Sequence, residues 1–198
     1  SRDSTRSPLA EAMRWAALAD VHPPGYVLLL RIWTALLTDA DLALRSLSVL
    51  AGLSTVLLLP LLLLRSGAGT VRALAAGSLL AVHAGHVHFS QEVRAYPLMG
   101  LWALLFVWAA SALLRRPGIR RATVLAVAAG AGLWLHHVCW LVLFGAALGV
   151  GWLAGADRGR VRWLGIGLAG GAALATPWTP ILLHQATGLP EGFSAHLR

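Results

Sequence analysis

The sequence predicts an all-α protein, a polytopic transmembrane helical bundle of about six spans. Three observations carry this. Of the 198 residues, 58% are hydrophobic and 12% charged, with a mean hydropathy of +0.71, well above a soluble domain. Apolar runs approaching the roughly 20 residues that cross a bilayer recur along the chain. The charges between those runs fall into short loops, as in membrane proteins.

Taken in order, residues 8–19 read as an amphipathic helix. Ser7 can cap it, Pro8 suits its first turn, and Leu9, Met13 and Ala16 share a face. The segment "PPGYVLLLRIWTALL" at 23–37 carries Arg31 in its middle, which is expensive at the bilayer centre. It is expected to lie in the outer interface with Arg31 snorkelling. Spans are expected at 42–64, 73–89, 97–114, 122–136, 138–155 and 163–183. From 121 to 157 there are 36 residue steps, roughly 54 Å as one straight helix, which suits two short crossings with a turn at His136 and His137. Residues 1–41 thus form a first extracytoplasmic loop with two juxtamembrane helices, and 42–198 the bundle. Because "SRDSTRSPLAEAMRW" offers no apolar helix to insert the chain, a first span is expected before Ser1.

The net charge is +8, and all 16 basic residues are Arg. A nucleic-acid binder would gather them on one solvated face. Here nine of the 16 lie in three loops, Arg65 to Arg72, "RRPGIRR" at 115–121 and "DRGRVR" at 157–162, with one of the eight acids, Asp157. The positive-inside rule puts these loops in the cytoplasm. The opposite side then receives His22, His83, His86, His88, His136, His137, His184 and His196, together with Asp20, Glu92 and Arg94. Cys139, alone in an apolar run, supports neither a disulfide framework nor a cysteine zinc site. "GIGLAGGAAL" suits close helix packing; with no strand before it and no Lys after it, it is not a phosphate loop.

Two polar blocks carry candidate chemistry. In "DVHPPGY" the prolines stiffen the entry to the next helix and hold Asp20 and His22 at its head, as an acid and an imidazole for a polar substrate or as a turn and cap. In "SQEVRAYP" Glu92 reads as an acid/base group or metal ligand and Arg94 as a phosphate clamp; the plainer alternative is a local ion pair. His83 and His86 share a helix face and could hold a metal with Glu92, so His86 and Glu92 are the metal candidates; histidines facing a polar cavity are the alternative. Arg45 is a snorkelling anchor or an anion contact.

The blocks "DVHPPGYVLLLRIW", "ALRSLSVLAG", "HVHFSQEVRAYPLMGLWALL", "GLWLHHVCWLVLFGAALG" and "TPWTPILLHQ", in this order and over nearly the whole chain, resemble the GT-C membrane glycosyltransferases. The nearest branch is the protein mannosyltransferase and aminoarabinose transferase superfamily, glycosyltransferase family 39 and its relatives. The resemblance implies an outer-facing cavity in a helical bundle that takes a sugar from a polyprenyl-phosphate carrier and passes it to a lipid, glycan or protein acceptor. It implies donor-binding roles for Asp20, His22, Arg45, Glu92, Arg94 and Tyr96, and a divalent ion, Mg or Mn, in some members. The partners implied are the bilayer, the lipid-linked sugar and the acceptor, with no nucleic acid, and the place is the cell membrane. Relatives keep an acidic pair about two dozen residues before the H-P-P, which runs off the start of this chain, and the context of Asp3 does not fit it. The catalytic acid is therefore expected before Ser1, and the catalytic residue of this chain is unknown. A transporter with an outer His and Glu pathway and an inert membrane scaffold are the alternatives. Against the transporter, the middles of the apolar runs carry no ionisable residue.

Overall fold

The computed structural model describes residues 23–37, 41–153 and 157–179. The expected helix at 8–19, Asp3, Asp20, His22, His184 and His196 lie outside these residues. Among the described residues the chain is all-helical, without strands: α1 (Gly25–Leu36), α2 (Asp41–Arg65), α3 (Thr70–Val82), α4 (Ala84–Ser90), α5 (Tyr96–Arg115), α6 (Ile119–Leu135), α7 (Cys139–Leu153) and α8 (Arg158–Ala175), then a 3-10 turn at Thr176–Trp178.

Among the described residues two helices are long and apolar enough to cross a membrane, Leu42–Arg65 in α2 and Tyr96–Arg115 in α5. Only 28% and 33% of their apolar windows are buried in the molecule, whereas the core helix of a soluble protein is mostly buried. Leu57, Leu61, Leu105 and Trp108 are among the large side chains left on the outside. So many outward-facing apolar groups are costly against water and natural against hydrocarbon.

The contacts fix the direction of each helix. A Cβ on Gly77 of α3 would meet the Pro60 ring of α2, so α3 returns antiparallel along α2. The indole of Trp102 in α5 donates to Ala128 O of α6 at 2.6 Å. Gly167 faces Leu125, Gly171 faces Ala129, and Trp134 donates to Leu174 O at 3.0 Å, so α6 and α8 run parallel with α7 between them in sequence. The three Arg loops therefore gather at one end, and His83, His86, His88, His136 and His137 at the other. The glycines of "GIGLAGGAAL" act as expected: at Gly171 a Cβ would meet the Ala129 Cβ, with Ala126 O at 3.0 Å, so only a bare Cα lets α8 approach α6 this closely.

The main core is built from Trp102, Phe106 and Leu113 of α5, Leu125, Ala129 and Leu133 of α6, Leu143 of α7 and Leu164 of α8. A smaller one at the histidine end joins Leu30 of α1 to Leu44 and Leu47 of α2. With 12 residues, roughly 18 Å, α1 is too short to cross a bilayer. It lies across the histidine end: Gly25 abuts Trp134 at the end of α6, and Trp33 donates to Ser46 Oγ at 2.9 Å and Ala43 O at 3.2 Å near the start of α2.

One expected element is corrected. The run at 73–89 is not a single helix but breaks at His83, whose backbone is extended (φ −68°, ψ 117°). The His83 ring folds over the start of α4, where Nδ1 accepts the His86 N–H at 3.2 Å. Gly85 leaves room for it, since a Cβ there would lie 3.2 Å from the ring. A side chain that satisfies an orphan N–H makes a new helix start worth its lost intrahelical bonds. The drop in hydropathy from residues 73–82 to the His-bearing Ala84–Ser90 is visible in the sequence, but the cap that starts the new helix is not. The last expected span, 163–183, is also shifted: α8 begins at Arg158, where the Asp157 carboxylate caps the Gly159 and Arg160 N–H groups at 3.0 and 3.2 Å. It gives way at Thr176–Trp178, around Pro177.

Candidate functional site

The chain from Gln91 to Ala95 joins α4 to α5 at the histidine end. Three contacts hold it. Arg45 Nη1 donates to Gln91 O at 3.0 Å, Ser48 Oγ donates to Arg94 O at 3.3 Å, and Val93 packs on the Leu30–Leu44–Leu47 cluster. One turn further along α2, His86 bonds Gly52 O through Nε2 at 3.2 Å, and the Ser90 hydroxyl sits where a Cβ on Gly52 would be. Ser90 donates to His86 O at 2.7 Å. With Val93 turned inward, its neighbours Glu92 and Arg94 are presented outward.

Glu92 Oε1 lies 3.4 Å from His88 Nε2, and Glu92 Oε2 lies 3.9 Å from Arg94 Nε. His88 and Arg94 are each 66% exposed and Glu92 40%. Exposed pairs of this kind contribute about 0–1 kcal/mol, less for a loose one. The ion pair expected as the plain explanation is present but does not hold the loop; the backbone carbonyl contacts and Val93 do. The charges are therefore available for work on a ligand.

Arg45, expected as an anchor or an anion contact, acts on the loop backbone, and its remaining guanidinium donors are exposed. Tyr96, at the start of α5, stands in a row of rings. Phe89 lies 4.8 Å from it and His136 6.1 Å; His88 reaches Phe89 at 5.2 Å and His137 reaches His136 at 6.3 Å. The row links α4, α5 and the α6–α7 turn. That turn falls at His136 and His137 as expected, with Val138 N–H donating to His136 Nδ1 at 3.2 Å.

The expected metal pair is directed at two different partners, His86 at the Gly52 carbonyl and Glu92 at His88. Among the described residues no three His, Cys, Asp or Glu groups converge as a ligand set. Arg94 beside the Glu92 carboxylate also opposes a divalent cation there. These residues do not fit a metal held by the protein, and no step is routed through one.

Three participants escaped the sequence reading. Ser48 is fully buried in α2, and with Ser46, Ser54 and Thr55 in the same helix nothing in the sequence singles it out. His88, expected on the outer side without a partner assigned, stands four residues before Glu92, a helical pairing distance. Tyr26, just past the Pro pair, has a buried hydroxyl close to that of Ser48 that makes no well-formed hydrogen bond among the described residues.

Compared with known proteins, the chain matches no family model, no curated protein and no solved structure.

Burial pushes the Tyr26 phenol up from 10.0 to about 12, tempered by the nearby Ser48 hydroxyl and the Arg94 charge. The folded state thus favours the neutral phenol. That contribution is complete below pH 10.0 and is lost as pH rises toward about 12. Tyr26→Phe keeps the ring packing and removes a hydroxyl that makes no well-formed hydrogen bond among the described residues. It is expected to leave the unfolding free energy in detergent unchanged or raised by up to about 1 kcal/mol, and to weaken the alkaline loss. A loss above about 1 kcal/mol at neutral pH would mean that the hydroxyl has a partner in the protein.

Proposed function

We propose that this chain belongs to a membrane glycosyltransferase that moves a sugar from a polyprenyl-phosphate-linked donor to an extracytoplasmic lipid, glycan or protein acceptor. The observation that carries the reading is the Gln91–Ala95 segment. It is fastened from beneath by Arg45, Ser48 and Val93, and it offers an exposed Glu92 and Arg94 at the end of the bundle opposite the arginine loops. In this reading the helices make six crossings, with α3 and α4 together forming one, and α1 lies in the outer interface. The positive-inside rule then makes the histidine end extracytoplasmic. Nucleotide sugars are cytoplasmic, so a transferase working outside needs a lipid-linked donor.

Each residue has a task suited to its chemistry. Arg94 clamps the donor phosphate and stabilises the charge that grows on it as the glycosidic bond breaks. Arg45 keeps the segment in register and offers further donors. Glu92 orients the donor hydroxyls or the attacking group and holds His88. Tyr26 supplies a buried phenol beside Ser48 and Arg94. Asp20 and His22 belong to the same donor site by resemblance, and the base that activates the acceptor is not assigned within the chain.

The test uses membranes containing the full-length protein, supplied with a panel of polyprenyl-phosphate-linked pentoses and hexoses. Sugar transfer is expected from at least one of these and from no nucleotide sugar in membranes stripped of carrier lipid. Equal transfer from a nucleotide sugar, or none from any donor, would overturn the reading.

A further inference from the structure

The arginine end carries two grooves that the proposed transfer does not use. One, of about 530 Å³, runs between α2 and α5 and is walled by Leu58, Leu61, Leu62, Leu105 and Trp108, with Arg65 at its end. The second, of about 460 Å³, lies on the other side of Trp108 between α5 and α6, walled by Ala112 and Val124 and ended by Arg120 and Arg121. Both fall in the roughly 300–1,000 Å³ range of ligand clefts. Each is apolar along its length and cationic at one end.

Among the described residues neither Arg65 nor Arg120 pairs with a carboxylate, and Arg121 donates to the Arg116 carbonyl at 3.0 Å. The one described acid in the arginine loops, Asp157, is taken by Arg160 at 3.0 Å and by the start of α8. A snorkelling arginine needs headgroups nearby but no groove. A groove without a guanidinium would take any acyl chain. The two together select a molecule with an apolar chain and an anionic head.

We infer that the grooves flanking Trp108 bind anionic phospholipid, an acyl chain lying against Trp108 and the head-group phosphate meeting Arg65 or the Arg120–Arg121 pair. The inference rests on the membrane placement of α2 and α5 and not on sugar transfer, so it stands or falls separately from the donor chemistry. Basic pockets between helices at the cytoplasmic face are suited to such head groups.

The test is native mass spectrometry of the full-length protein, purified in mild detergent and titrated with phosphatidylglycerol or phosphatidylcholine. Wild type is expected to retain phosphatidylglycerol over phosphatidylcholine. The double variant Arg65→Gln/Arg120→Gln loses that retention, by roughly fivefold for each arginine removed. Arg65→Lys/Arg120→Lys, which keeps the charge, retains it, as does Arg72→Gln, which lies outside both grooves. Helicity by circular dichroism checks folding. Equal retention of both lipids, retention of neither, or an unaltered Gln double variant would overturn the inference. So would cross-linking of two copies through Trp108 with no lipid held, because a second copy would then be the occupant.

Discussion

If the chain is the proposed transferase, Glu92→Ala is expected to lower sugar transfer by about 10²–10⁴-fold in the full-length protein, with the amount and helicity of the protein unchanged. The expectation of intact folding is physical. Glu92 is 40% exposed, and its partners His88 and Arg94, at 3.4 and 3.9 Å, are more exposed still. Little stability is lost when such pairs are cut, while Arg45, Ser48 and Val93 keep the segment seated. Glu92→Gln, which keeps the shape and removes the charge, is expected to be nearly as inactive. In a transporter the same change would alter flux, and in an inert scaffold it would alter nothing. Transfer within twofold of wild type would remove Glu92 from the site. Arg94→Ala should act through the donor, raising its KM more than Arg45→Ala does, because Arg45 works on the Gln91 carbonyl.

Gly132→Ala is expected to hurt the fold severely. A Cβ at this position of α6 would lie inside the Trp102 indole. Trp102 cannot swing away cheaply. It is 7% exposed, stacks on Phe106 with ring centres 5.5 Å apart, and donates to Ala128 O at 2.6 Å. Overpacking costs about 1–3 kcal/mol and the indole hydrogen bond about 0.5–1.5, so a loss of about 2–4 kcal/mol is expected. Thermal unfolding in detergent reads it. Gly145→Ala in α7 is the control: no atom lies within 4 Å of its Cβ position, and the gain in helix propensity should leave stability equal or better. Equal behaviour of the two variants would mean that α5 and α6 do not meet through Trp102.

Some of this could be read along the chain. The arginine loops and the turn at His136 and His137 were legible because a chain in lipid must satisfy its backbone groups within helices, leaving the interruptions to polar residues. "GIGLAGGAAL" was legible as a packing face because only small residues allow helices so close. The candidate segment was legible as a density of polar groups, "HVHFSQEVRAY", where apolar residues were due.

Composition and the order of apolar and arginine-rich stretches thus determined by themselves the helical class, most helix limits and the polar segment. Tertiary structure alone decided which groups meet. It turned His86 to Gly52 and not to Glu92, gave Glu92 to His88, set the Trp102 indole against Gly132, buried the Tyr26 hydroxyl, and broke the helix at His83. The physical reason is range. Hydropathy and backbone satisfaction act within a segment and are written in its own residues. A hydrogen bond or an interlocking contact between segments depends on the rotation and depth at which two helices pack, and no single stretch of sequence encodes that.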